Sequence, residues 1–439
     1  MPRPWPDDVR ACMPSFAAGL RTAWLPDAFG AADLLAGLAD GTAFASADAA
    51  AALVAEAPLN HLTVPVGRGT RTVPLLTPEA NAALHVLTEN ALRDHRPHPC
   101  VAGATGADWD YRRAYRARAA KLAALAADRR RPLLQHLDVE DFARSVRPEP
   151  LLAAPWPTRP LATALATLHR RTGQCLTHGT AWSTRLGTAL LAPVDEVVAA
   201  RSGDNWTRWS DGWHVAVRDA REAAEVRAAV GDALAALGLR LSERKSVLLE
   251  RTAARQVFAD VADTPHAVWS LAARLDDVRR FRYALVRAAP AAEVSDALPD
   301  VVRRHPALLP RAAQYLDGAA GTPQAATAFA ALADWADGAD WADGADWAAG
   351  EPGDVHAAFR YGRLLAVAAR HPAYARLLPV DAVRRWGQSP PDPLRELAER
   401  AAVTGHGAGA VPDPSPRVGA WLRRGARVGD RQPMVVTYL

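Results

Sequence analysis

Asp138, Asp211 and Lys245 are the residues of this 439-residue chain whose types and spacing are best suited to chemistry. Asp138 closes the short apolar run Leu133-Leu134-Gln135-His136-Leu137, which reads as a strand. Asp211 stands in Ser210-Asp211-Gly212, between two strand-like runs, and Lys245 ends the stretch LGLRLSERK at 237–245. A carboxylate at a strand end beside another at a hairpin tip could share two Mg²⁺ ions ~4 Å apart, clamping the attacking and leaving oxygens of a phosphoryl transfer. Mg²⁺ keeps several waters and takes few protein oxygens, so two carboxylates plus a triphosphate complete its shell, and Mn²⁺ is an alternative. Lys245 could protonate the leaving pyrophosphate. Each residue also has a plainer use: Asp138 as a turn or helix-capping aspartate, Asp211-Gly212 as a hairpin turn, Lys245 as a solvated cation.

The elements that must position these groups follow from periodicity. Two strand-like runs, LTVPV and TRTVPLL, flank Gly67-Arg68-Gly69 and predict a hairpin, with Arg68 and Arg71 either a phosphate clamp or an exposed tip. Residues 78–95 and the basic run 111–131 read as helices. In 173–198 a loop containing Gly179 leads into a helix, and 220–237 carries Val226, Val230, Leu234 and Leu237 on one stripe before Gly238. Strands and helices thus alternate over 62–250, an α/β (α+β) core. Beyond 265 the strand signals fade: Leu271, Leu275, Val278 and Leu285 share one helical face, and helices are predicted at 293–304, 306–317, 323–336 and 354–370.

The domain expectation is an N-terminal helical segment (1–60), the α/β core (61–265), a helical region (266–332), a linker (333–352) and a helical C-terminal region (353–439). The linker holds ADWADG-ADWADG-ADWAAG at 333–350; a six-residue period matches neither a helix nor a coiled coil. From 388 the chain is rich in Pro, Gly and Arg, and partial disorder is expected there.

Composition excludes more than it assigns. Hydrophobic residues make up 49% and charged residues 23%, the profile of a folded chain. No apolar run reaches the ~20 residues of a membrane span, the start lacks a signal-like region, and Cys12, Cys100 and Cys175 stand far apart, so a cytoplasmic protein without disulfides or a cysteine metal site is expected. The net charge of +4 hides a basic 101–200, with 14 Arg or Lys against 9 Asp or Glu, and an acidic 301–350, with 3 against 6. That division suits a polyanionic ligand and suits salt-bridged helices equally. Only Lys121 and Lys245 are lysines among 52 cations, which singles out Lys245.

The ordered set resembles the fingers and palm of reverse transcriptases, over about residues 60–250. The likeness is to the bacterial branch that includes abortive-infection and phage-defence enzymes with helical C-terminal regions. The resemblance implies a right-hand-like polymerase core followed by an all-helical region. It puts Asp138 at the first metal aspartate and Leu176-Thr177-His178-Gly179 in place of Leu-Pro-Gln-Gly. Arg208-Trp209-Ser210-Asp211-Gly212 takes the place of Arg-Tyr-x-Asp-Asp, and LGLRLSERKS resembles the Leu-Gly-Leu motif that follows. VPVGRGTRTVPLLTP resembles the fingers hairpin, with Arg71, and Arg68 beside it, toward the triphosphate. The implied activity is Mg²⁺-dependent RNA-directed DNA synthesis from nucleotide triphosphates on RNA or DNA, in a defence role.

The departures bear on that activity. The second hairpin aspartate is Gly212, and the sugar-discriminating position five residues after Asp138 is Ala143, with Phe142 before it, so discrimination against ribonucleotides is expected to be weak. Asp204, in Arg201-Ser202-Gly203-Asp204, is the second candidate for the hairpin ligand; Asp211 is preferred because WHVAVRD then runs straight into the next helix. His178 is expected to be structural. The alternative function is a catalytically inactive pseudo-polymerase that binds nucleic acid or a protein partner.

Overall fold

The computed structural model describes residues 5–19, 32–66, 69–102, 111–177, 179–250, 264–337, 355–387 and 392–423. Its elements begin with α1 (Trp5–Gly19), α2 (Ala32–Asp40), α3 (Ala47–Glu56), β1 (Leu59–Val66), β2 (Gly69–Leu76), α4 (Pro78–Ala91) and α5 (Tyr111–Ala127). There follow β3 (Leu133–Asp138), α6 (Phe142–Ser145), α7 (Pro148–Ala153), α8 (Arg159–Thr172), α9 (Ala181–Leu190) and α10 (Ala192–Ser202). The hairpin β4 (Trp206–Trp209) and β5 (Gly212–Val217), α11 (Ala220–Ala236) and β6 (Val247–Glu250) complete the first part. The remainder is helical: α12 (Pro265–Leu275), α13 (Val278–Arg287), α14 (Ala292–Arg304), α15 (Leu309–Gly318), α16 (Pro323–Asp337), α17 (Val355–Ala368), α18 (Pro372–Ala375), α19 (Val380–Gly387), α20 (Asp392–His406) and α21 (Pro416–Arg423).

Local chemistry sets several boundaries. Thr77 caps α4 through its hydroxyl, with Pro78 at the first turn, where a missing N–H costs nothing. Asp219 accepts from the Glu222 N–H at 2.8 Å to start α11, and Gly238 follows that helix at φ +69°.

Strands β4, β5, β3 and β6 form one antiparallel sheet in that order, so the class is α+β. The β3–β5 register runs from Leu133 opposite Val217 to Asp138 opposite Gly212. Alternation divides the sheet into two faces. Leu137, Trp213, Val215 and Val217 enter a large core with Leu186 of α9, Val194 of α10 and Val226 of α11. On the other face Leu134 and Ala216 pack against Leu125 and Ala126 of α5.

The first core also takes Val9 and Phe16 of α1, Val54 of α3, and Leu84 and Leu87 of α4. The N-terminal helices are therefore continuous with the sheet's core and do not form a unit of their own. A second core gathers α12 to α20 and includes Val73 of β2, and α17 lies along β1. The β1–β2 hairpin thus belongs to both bodies, which the linear division at 61–265 does not convey.

Two expectations along the helical region need correction. Leu271, Leu275, Val278 and Leu285 do not share one helix: Asp276, at φ +50°, separates α12 from α13, and Leu275 is 58% exposed. The first copy of the repeat is not linker, since Ala333–Asp337 ends α16 with Trp335 and Ala336 in the second core. Residues 338–354 lie outside the described residues. The region after 388 holds α20, whose Leu397, Ala398, Ala401 and Ala402 are buried in that same core. Among the described residues no helix is long and apolar enough to cross a membrane.

Candidate active site

Asp138 closes β3 at the edge where the β4–β5 turn arrives. Its partner across the strands is Gly212, and the Val139 N–H donates to the Asp211 carbonyl at 3.2 Å. The segment after α11 seals the same end. The Ser242 N–H donates to the Asp138 carbonyl at 2.8 Å, and the Asp138 N–H donates to Ser246 Oγ at 3.3 Å. This segment delivers Lys245, whose Nζ donates to Asp138 Oδ1 at 2.9 Å; the Asp138 side chain is 15% exposed and that of Lys245 48%.

Asp138, Asp211 and Lys245 therefore come together at one end of the sheet, although they are spread over more than 100 residues of chain. The electrostatics are those of two carboxylates competing for one cation. Burial raises the Asp211 pKa, and the Asp138 charge raises it further; its own N–H, Lys245 and the Ser210 hydroxyl work against the rise. Asp204 lies in the loop before β4, at the end where Trp206 pairs with Val215, opposite to the Asp138–Gly212 end. The topology sets Asp211, not Asp204, beside Asp138.

Two histidines extend the site along the same face. His136 and His214 lie directly opposite each other and stack, with centroids 4.4 Å apart and planes at 15°. Burial lowers the His136 pKa; the Asp138 charge opposes this, while the Arg118 and Lys245 charges add to it. Gly212 fits tightly here, since a Cβ would stand 3.3 Å from His136 Nε2 and 3.7 Å from Asp138 Oδ2. Arg118 of α5 sits over the Trp209 ring at 5.4 Å, walling the site on the helix side.

The other sequence candidates are placed as follows. Asp141 takes φ +43° and begins α6, which turns Ala143 into the core at 5% exposure and leaves Phe142 half-buried. Ala143 thus packs in the core of the sheet. The Phe142 ring presses on α9 so closely that a Cβ on Gly187 would stand 2.8 Å from its Cε1. Gly179, at φ +80°, ends the turn before α9, where Thr177 and Thr180 hydroxyls meet at 3.0 Å. Arg71 lies in β2 opposite Val64; Arg68 and His178 fall outside the described residues. Burial pushes the Cys12 and Cys175 thiols up to about 12, so neither is a ready nucleophile.

Asp195 went unnoticed in the sequence. It is fully enclosed in α10 and accepts from Arg208 Nε at 2.7 Å, from Arg208 Nη2 at 2.6 Å and from Trp213 Nε1 at 2.8 Å. A carboxylate on an apolar helix between Leu191, Val194 and Val198 was its signal, because such a charge requires a buried partner.

Among the described residues no three of His, Cys, Asp and Glu gather as a metal-holding group. Asp138 and Asp211, whose charges oppose each other, are the residues that would hold a Mg²⁺ ion, with a ligand's oxygens and water completing its shell. No protein-family model matches the sequence, and no curated protein matches it.

Proposed function

We propose that this chain is a reverse-transcriptase-like nucleotidyltransferase, with β3 to β6 as its palm and the β1–β2 hairpin as its fingers. The observation that carries the reading is the meeting of Asp138 and Asp211 at one end of the sheet, with Lys245 on Asp138. Asp138 and Asp211 would hold Mg²⁺ or Mn²⁺, which when bound neutralises phosphate charge and favours a nucleophilic oxygen. The chain's own residues do the positioning. Lys245, whose Nζ donates to Asp138 Oδ1, would supply the proton to the departing pyrophosphate. By the sequence resemblance, Phe142 would lie near the sugar of a bound nucleotide and Arg71, in β2, would serve the triphosphate. The polyanionic partner is RNA or DNA, and defence against phage is the setting that the sequence resemblance implies.

Gly212 favours a second reading, a pseudo-polymerase that binds nucleic acid or a protein without turnover, because the hairpin offers one carboxylate and not two. Incorporation of labelled dNTPs and rNTPs on primed RNA, in Mg²⁺ and in Mn²⁺, separates the two. Incorporation lost in Asp138→Asn and in Asp211→Asn supports the enzyme. Salt-sensitive RNA binding without incorporation supports the pseudo-polymerase, and neither result overturns both.

A further inference from the structure

The turn that carries Asp211 is not relaxed. Ser210 takes φ +54°, in the left-handed region that a serine adopts only under constraint, and the turn is just two residues long. One side chain reaches the carbonyl that defines this conformation. Arg208 Nη1 donates to the Ser210 carbonyl at 2.6 Å, while Nη2 donates to the Thr188 carbonyl at 3.3 Å. Its remaining donors grip both oxygens of Asp195. Arg208 is 0% exposed, and Asp195 is fixed in turn by the Trp213 indole N–H from the other hairpin strand.

The arrangement is more specific than a buried ion pair needs. Asp195 alone would satisfy the charge, yet the guanidinium spans four acceptor oxygens on three elements: α10, the end of α9 and the hairpin tip. Only a planar fork with several fixed donors can do so; an ammonium has the charge without the geometry. The tip held in this way is also the one whose Asp211 carbonyl accepts from Val139, next to Asp138.

We infer that the buried Arg208–Asp195 pair is a positioning element of the candidate site. It holds the Ser210 carbonyl, and through it sets the Asp211 carboxylate beside Asp138. The inference rests on the proposed two-carboxylate site for its functional consequence, but its geometric content stands without a metal.

Two readouts on the full-length chain test it. The first is metal-independent: amide hydrogen exchange at Val139, whose N–H bonds to the turn, against Ala216, whose N–H bonds to the Asn205 carbonyl at the far end of the hairpin at 2.9 Å. Arg208→Lys keeps the charge and is expected to speed exchange at Val139 at least about tenfold, with Ala216 within about twofold of the parent. Equal protection at Val139 overturns the inference whatever the metal does. The second is Mn²⁺ titration followed by electron paramagnetic resonance. If the parent binds Mn²⁺ in a manner lost in Asp138→Asn, Arg208→Lys is expected to weaken binding about tenfold or more. Arg185→Lys is the control, a buried arginine of the same core that donates to the Leu92 and His95 carbonyls and leaves the hairpin alone. Equal weakening in both variants means a loss of general stability and overturns the positioning role. No Mn²⁺ binding by the parent sinks the two-carboxylate reading and leaves the exchange result to decide the clamp. Should Arg208→Lys not fold, Trp213→Phe removes one donor from Asp195; faster exchange at Val139 than at Ala216 supports the inference, and unchanged exchange overturns it.

Discussion

Placing a carboxylate at position 212 should make the protein less stable without a divalent cation and more responsive to one. In Gly212→Asp the new Cβ would lie 3.7 Å from Asp138 Oδ2, and its carboxylate carbon one bond further. Charge centres then stand about 5 Å apart, where like charges cost about 1–3 kcal/mol at an effective dielectric between 80 and 20. Lys245 is half-exposed and offsets less than about 1 kcal/mol of this. The Cβ also meets His136 Nε2 at 3.3 Å, a steric contribution that Gly212→Ala isolates. The repulsion raises the folded-state pKa of the new carboxyl above its unfolded value of about 3.9. The loss relative to Gly212→Ala is therefore absent below about pH 4 and grows as pH rises through the folded value. Thermal melts of the three proteins at pH 4.5 and 7, in chelator and in Mn²⁺, give the comparison. The aspartate variant should lose stability at pH 7 in chelator and regain it in Mn²⁺, by more than the parent gains, and nucleotide incorporation should rise. A loss equal to that of Gly212→Ala, insensitive to pH and Mn²⁺, would refute the argument that position 212 faces a shared cation site.

Removing Lys245 should act in the opposite sense on cation binding. Lys245→Ala is expected to cost at most about 1 kcal/mol of stability, to raise Mn²⁺ affinity severalfold by vacating Asp138, and to reduce any incorporation; unchanged affinity by isothermal calorimetry would count against the ion pair as a competitor. Gly187→Ala forces a methyl to 2.8 Å from the Phe142 ring and should destabilise by about 1–3 kcal/mol in urea titration, whereas a neutral result would show that α6 yields freely. Burial holds His85 neutral down to about 4, while an unfolded histidine titrates near 6.5. Its contribution, up to about 3 kcal/mol, is present above about pH 6.5 and disappears as pH falls toward 4. His85→Gln should flatten the stability profile between those values, and an unchanged slope would reject the assignment.

The elements around the site were legible because they obey local rules. An apolar run ended at Asp138, alternating runs flanked Asp211-Gly212, and the stripe Val226, Val230, Leu234 stopped at a glycine with positive φ. The antiparallel order of the sheet was not, because pairing joins segments up to 117 residues apart. The spacing from Asp138 carries no information on the left-handed Asp141, which turns Ala143 into the core. The clamp on the turn escaped notice because the partner of Arg208 comes from another helix, and residue type alone names no partner. In α20, within the expected helical C-terminal region, Leu397, Ala401 and Ala402 supply the buried stripe despite the Pro and Gly that flank it.

The β1–β2 hairpin has a mechanical consequence. Val73 is sealed in the helical core and Leu76 in the core of the sheet, three residues apart, a span of about 10 Å in a strand. A hinge motion that parted the two bodies further would pull one of these side chains into water, at roughly 1.5–3 kcal/mol. The hairpin thus ties the two cores together through two side chains of one strand, the strand that also bears Arg71.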